Sequence, residues 1–107
     1  MDVLRYRSPA GSDPGGKYID GLSTREAAEV HADLVLWEQH DLAAAVSTRQ
    51  IKGKLWELKV GAHRFFFVTL AGPVVVLLHA YRKQGQRAPV RDIETAAARM
   101  KEVLGAK

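Results

Sequence analysis

Apolar and polar residues alternate over Leu55–Val60, and two further short apolar segments follow at His63–Leu70 and Val74–Arg82. All three are rich in β-branched and aromatic side chains. Gly61-Ala62 separates the first two and Gly72-Pro73 the last two, which predicts antiparallel strands joined by tight turns. Upstream the period changes. Ala27, Val30, Leu34 and Trp37 recur at helical spacing after Ser23 and Glu26, a capping-box pair, and Leu22 is placed to staple onto Ala27. That helix is predicted to reach about His40, with Leu42–Val46 as a continuation. Pro89 and Asp92 open a last helix with an apolar stripe of Ile93, Ala96, Ala97, Met100 and Leu104, and Gly105 can end it. Val3–Tyr6 reads as a short strand, Ser8–Gly16 as a loop with a short turn of helix near Tyr18, and Thr48–Lys54 as a polar connector.

The order strand, helix, three strands, helix predicts a single α+β domain over residues 1–107. Helices cover one face of an antiparallel sheet. Residues opposite one another in an antiparallel pair share a face. A Gly61-Ala62 turn places Lys59 opposite Arg64 and Glu57 opposite Phe66. A Gly72-Pro73 turn places Phe66 opposite His79 and Arg64 opposite Tyr81. One face then gathers Glu57, Lys59, Arg64, His79, Tyr81 and Lys83. The reverse face holds Trp56, Leu58, Phe65, Phe67, Val76, Leu78 and Ala80, and a one-residue slip would bury the charged set. A longer second loop, through Ala71 and Val74, would shift that pairing.

Charge sharpens this picture. Residues 1–50 carry five Lys/Arg and eight Asp/Glu, whereas residues 51–107 carry eleven and four. A basic half suggests a surface that meets phosphates, and a solvated face of mixed charge is the bland alternative. No apolar run approaches the ~20 residues needed to span a bilayer, and Met1–Ser12 lacks the apolar core of a signal peptide. The absence of cysteine removes disulfides, thiolate zinc sites and cysteine nucleophiles, and it fits a cytoplasmic protein. No GxSxG, Walker loop, GxGxxG or HExxH occurs, and His31, His40, His63 and His79 lack zinc spacing. Each residue of the charged face also has a structural alternative. Glu57 can form an ion pair with Lys59 or Arg64, His79 can be a partly buried, hydrogen-bonded histidine, and Tyr81 can be strand packing.

The segments LWELKV, HRFFFV, VVVLLHAYRKQGQ and AP-x-x-DIE-x-A-x-x-R, taken together, resemble the phage-derived HigB-like branch of the RelE/ParE toxin superfamily. The likeness spans the whole element order and is strongest over residues 51–100. It implies a small RelE-like fold: an antiparallel sheet, mixed at the N-terminal strand, with helices packed on one face and a C-terminal helix. It further implies a type II toxin that cleaves mRNA on the ribosome and is held inactive by a cognate antitoxin, often a helix-turn-helix HigA-like protein. The implied partners are antitoxin, ribosome and mRNA, with no membrane.

The chemistry implied by the resemblance is attack of the RNA's own 2′-hydroxyl on the phosphate, which needs no metal or other cofactor. It calls for a base, cations for the charge growing on phosphate, and an acid for the leaving oxygen. Glu57, Arg64, His79, Tyr81 and Lys83 are the catalytic candidates. Arg64 and Lys83 would stabilise charge. Glu57 or His79 would be the base, and the other of the two, or Tyr81, the acid. Lys52, Lys54, Lys59, Arg82 and Arg87 would contact RNA or ribosome, Arg82 from the end of its strand. The chain departs from the RelE nucleases where they carry two strand lysines, since it has Leu55 and Glu57 there. It also carries Gln84 in place of a second lysine after Lys83, and Arg-Ala-Pro at 87–89 in place of the usual lead-in to the helix. Two other activities are compatible with these features: ParE-like gyrase inhibition without nuclease chemistry, and a catalytically degenerate module that only binds its antitoxin.

Overall fold

A computed structural model describes residues 2–39, 48–71, 74–85 and 87–105. The elements are β1 (Asp2–Arg5), α1 (Pro14–Asp20), α2 (Thr24–Gln39), β2 (Thr48–Lys52), β3 (Leu55–Val60), β4 (His63–Leu70), β5 (Val74–Arg82) and α3 (Val90–Gly105). The five strands form one sheet in the order β1-β5-β4-β3-β2, and β1 runs parallel to β5 while the other pairs are antiparallel. This is the α+β arrangement expected, mixed at the N-terminal strand. The Gly72-Pro73 turn and the helical continuation at Leu42–Val46 fall outside the described residues.

The helices start where local chemistry dictates. Asp13 caps α1 by accepting from the Gly16 amide at 3.0 Å, and Pro14 occupies the first turn, where an absent N–H costs nothing. The Glu26 amide donates to Ser23 Oγ at 3.2 Å at the head of α2. Gly61, with φ +58, takes the glycine-first place of the two-residue β3–β4 hairpin.

Both α1 and α2 pack on one sheet face. Ile19, Val30 and Trp37 meet Leu58, Phe65 and Phe67 there, and the Trp37 and Phe67 rings lie edge-to-face with centroids 4.9 Å apart. The opposite face carries a second apolar cluster, and α3 covers it. Phe66, Val68, Val76 and Leu78 lie under Ala96, flanked by Ile93, Ala97, Met100 and Val103.

Four details differ from the sequence reading. Helices cover both faces of the sheet and not one, because the bulged β5 is apolar on the second face as well and α3 packs there. Thr48–Lys52 is an edge strand, β2, paired to β3. Only Ile51 of its side chains packs against a core cluster, so its composition is that of a connector. Within β4–β5 the register changes by one residue between Phe66↔His79 and Phe67↔Leu77, leaving Leu78 as the extra residue of a β-bulge. The bulge turns Val76 and Leu78 to the α3 face, away from Leu58, Phe65 and Phe67, and puts Val75 and Leu77 in their place. The stripe of α3 closes on Val103, while Leu104 faces outward at 37% exposure, and Trp56 is equally exposed.

Arg99 of α3 locks the bulge. Its Nη1 donates to the Leu78 carbonyl at 3.0 Å, a ladder position that a bulge disrupts, and the guanidinium lies 5.3 Å over the Tyr6 ring. Close approach of α3 depends on Ala96, which has no exposed surface. Ala96→Leu should therefore overpack this layer and lower unfolding free energy by about 1–3 kcal/mol in urea titrations. Ala98→Leu, on the exposed side of the same helix, should change it by less than about 0.5 kcal/mol.

Candidate functional site

The polar residues of the α3-side face collect beside the β3–β4 turn, at the end of the sheet that the apolar cluster leaves uncovered. Lys59 pairs with Arg64, Glu57 with Phe66 and with Arg49 of β2, and Arg64 with Tyr81. The strand pairing runs on past β5, because the Lys83 amide donates to the Ala62 carbonyl at 2.8 Å. The result is a cleft of about 220 Å³ lined by Thr48, Arg49, Glu57, Lys59, Arg64 and Lys83. That is smaller than a typical small-molecule pocket of ~300–1,000 Å³ and suits a compact group such as a phosphodiester. Four cations surround one carboxylate in it.

Glu57 is the anion at its floor, only 3% exposed. A buried carboxylate needs compensating bonds, and each of its oxygens has one. The Arg49 Nε donates to Oε1 at 3.0 Å, and the Tyr81 hydroxyl donates to Oε2 at 2.7 Å. The ion pair is thus made with Arg49, and not with Lys59 or Arg64. Burial pushes the Tyr81 phenol well above its ordinary value, and the bond to Glu57 adds to the shift. Tyr81 therefore stays protonated at neutral pH and serves Glu57 as a fixed donor.

Arg64 is built into the turn. Its Nη1 donates to the Gly61 and His63 carbonyls, at 2.8 and 3.0 Å, which fixes the guanidinium plane at the cleft wall. Lys59 and Lys83 approach as more exposed point charges.

His79 does not line this cleft. Arg99 Nη1 lies 3.2 Å from its Nδ1, and Asp92 Oδ1 lies 2.6 Å from its Nε2. Arginine can only donate, so Nδ1 accepts and the ring proton sits on Nε2, donated to Asp92. Both nitrogens are committed to α3, which is the hydrogen-bonded, partly buried alternative for this residue. Its ring stacks on Phe66, which in turn stacks on Tyr81.

The remaining candidates scatter. Arg82 projects to the α2 side, where it donates to Glu26 at 2.7 Å. That bond holds the Glu26 carboxyl below its ordinary range. Lys52 and Lys54 sit at the β2–β3 turn, at the opposite end of β3 from Lys59, roughly 15 Å along the strand. Arg87 is exposed on the loop before α3. The structure thus brings Glu57, Lys59, Arg64, Tyr81 and Lys83 together, and it adds Arg49, which the connector reading of Thr48–Lys54 overlooks. The Gly53-Lys54 turn is the one available signal for a hairpin there. Counting straight back from it sets Gln50 opposite Glu57, and only the β2 bulge between Gln50 and Lys52 brings Arg49 into register.

Removing the Tyr81 hydroxyl leaves Glu57 Oε2 without its donor. Tyr81→Phe should cost about 1–3 kcal/mol of stability at neutral pH. The raised phenol contributes stability that is complete below its ordinary value of 10.0 and is lost as pH climbs toward the higher folded value. The gap between wild type and variant should therefore be constant up to about pH 10 and narrow above it, as measured by denaturation at a series of alkaline pH values. A gap that widened there would contradict this assignment.

Residues 17–101 match the family of phage-derived proteins described as Gp49-like (DUF891). No curated protein matches the chain. The matched span covers β2–β5 with all the cleft residues, and most of α1 and α3. The chain belongs to the Gp49-like phage-derived family, which is a RelE-like toxin family.

Proposed function

We propose that this protein is the toxin of a type II toxin–antitoxin system, of the HigB-like kind, and that it cleaves mRNA on the ribosome to stop translation. The observation that carries the reading is the cation-ringed cleft around Glu57, within a chain of a RelE-like toxin family. A cognate antitoxin, helix-turn-helix and HigA-like, holds it inactive.

In this reading a phosphodiester enters the cleft between Arg64, Lys83 and Arg49. Glu57 takes the proton of the adjacent 2′-hydroxyl as O2′ bonds to phosphorus. The charge that develops on the phosphate oxygens is met by fixed donors, Arg64 foremost because the turn already holds it in place. The P–O5′ bond breaks, and O5′ takes a proton from the ammonium of Lys59 or Lys83. The products are a 2′,3′-cyclic phosphate and a 5′-hydroxyl, made with protein groups alone. His79 and Tyr81 act behind the cleft. Stacking of His79 on Phe66 supports Tyr81, and Tyr81 orients Glu57. Exposed Lys52, Lys54 and Arg87 are left to contact ribosomal RNA.

The test is cleavage of a defined mRNA with and without translating ribosomes, mapped by primer extension. Cuts within codons that require ribosomes are expected. Lys83→Ala, which leaves the turn bonds of Arg64 untouched, should slow cleavage by about 10²–10³-fold, the scale for losing one fixed transition-state donor. Ribosome binding should weaken steeply with salt. Folded wild-type protein that cuts in neither condition would overturn the nuclease reading. It would leave gyrase inhibition, read in a supercoiling assay, or antitoxin binding alone.

A further inference from the structure

A base must touch the proton that it removes, and each Glu57 oxygen already accepts one bond. Tyr81, itself 6% exposed, fills Oε2 from the core. Arg49 fills Oε1 from the other side, and its side chain is 52% exposed. Of these two partners, Arg49 is the one that lines the cleft.

The mounting of Arg49 suits a movable part. It sits on β2, an edge strand paired only to β3 and interrupted by a bulge directly after Gln50. The other cleft cations are set differently. Arg64 is pinned by two carbonyls, and Lys59 and Lys83 make no bond to Glu57 among the described residues. The idle site therefore has a neutralised anion, two ammonium groups and one guanidinium held at the turn, with Arg49 closing the pair.

We propose that Arg49 is a substrate-displaced latch over Glu57: an entering RNA phosphodiester takes over the Arg49 guanidinium, and the Oε1 it vacates receives the 2′-hydroxyl proton. This rests on the reading of the cleft as an RNA-cleaving site. The exchange conserves charge-assisted bonds. A guanidinium–carboxylate pair is given up, and a guanidinium–phosphate pair and a hydroxyl–carboxylate bond form. Glu57 keeps its Tyr81 bond throughout, so the carboxylate does not rotate when the latch leaves. The proton passes from the 2′-hydroxyl to Oε1, the O2′–P bond forms, the P–O5′ bond breaks, and O5′ is protonated from Lys59 or Lys83. A ligand without a phosphate has nothing to offer Arg49 and leaves the base covered. Arg49 is thus a gating residue, distinct from the fixed charge stabiliser Arg64.

The experiment is side-chain NMR on the full-length protein. It follows the Arg49 Nε–H and Glu57 carboxyl signals as a trinucleotide, 2′-deoxy at the cut position, is added to millimolar concentration. Free Arg49→Gln protein supplies the reference for an unlatched Glu57, and Arg64 and Lys83 signals report entry into the cleft. On binding, the Glu57 carboxyl signal should move from its free position to that of Arg49→Gln, with the Arg49 Nε–H signal shifting in step. If Arg64 and Lys83 respond while Arg49 and Glu57 stay at their free positions, the pair is a static brace and the latch is overturned. If no cleft residue responds, RNA does not bind here, and the function reading falls along with the latch. In cleavage assays Arg49→Lys should lower kcat and raise KM together. A purely structural pair would instead lower stability with kcat and KM unchanged.

Discussion

The β-bulge at Leu78 is the constraint on which the rest of the molecule depends. Without it, β4 and β5 would keep a single alternation, and Val76 and Leu78 would point to the α1/α2 side. Val75 and Leu77 would then lie under α3 in their place. One inserted residue reverses the facing of the distal half of β5. Beneath α3 the floor is Phe66, Val68, Val76 and Leu78, and the charged residues sit at the β3–β4 end. A bulge is a local disruption that needs compensation. Here α3 supplies it, since Arg99 takes the Leu78 carbonyl and Asp92 takes the His79 ring. Helix docking and sheet irregularity stabilise one another.

Burying Glu57 is the second commitment. A lone carboxylate at 3% exposure would be strongly destabilising. The fold meets that demand with one neutral and one charged donor, from strands on either side of β3 and β4. Tyr81 lies against Phe66, and Phe66 against His79. The geometry of the carboxylate is therefore tied through packed rings to the helix that holds the bulge. Removing α3 would loosen His79 first, but its effect would reach Glu57 through two stacked contacts.

Much of this was legible in the sequence, and each miss has a physical cause. The β3–β4 pairing is regular from Val60↔His63 outward, so alternation correctly placed Glu57, Lys59, Arg64 and Tyr81 on a common face. The error of facing arises at the β5 bulge. A bulge is a single extra residue that leaves composition and turn signals unchanged, so periodicity counts straight through it. Val76 and Leu78 were reversed in this way, whereas Arg49 was overlooked because its strand reads as a connector. β2 was harder still, because an edge strand with one core-facing residue has almost no apolar period to detect. His79 was assigned to the right face, but its partners lie on a helix 13 and 20 residues away. No strand pairing could reveal that both of its nitrogens were taken.

The charge asymmetry of the sequence is resolved by topology, and this explains how a chain of net charge +4 concentrates its field in one place. The basic C-terminal half does not empty all its cations into the cleft. Arg82 is drawn to the far side of the sheet by Glu26 of the acidic half, which His63 also approaches at 3.4 Å. Arg99 is committed to the bulge. What remains at the cleft is Lys59, Arg64 and Lys83, and the acidic half contributes Arg49 in return. The sheet thus acts as a divider. Glu26 of α2 neutralises one end of β5 on one face, while on the other face a single carboxylate stands among four cations. In a confined cleft, such an arrangement focuses positive potential where an anionic backbone would thread. Because Glu57 is already satisfied by its own bonds, it does not cancel the attraction of the remaining three.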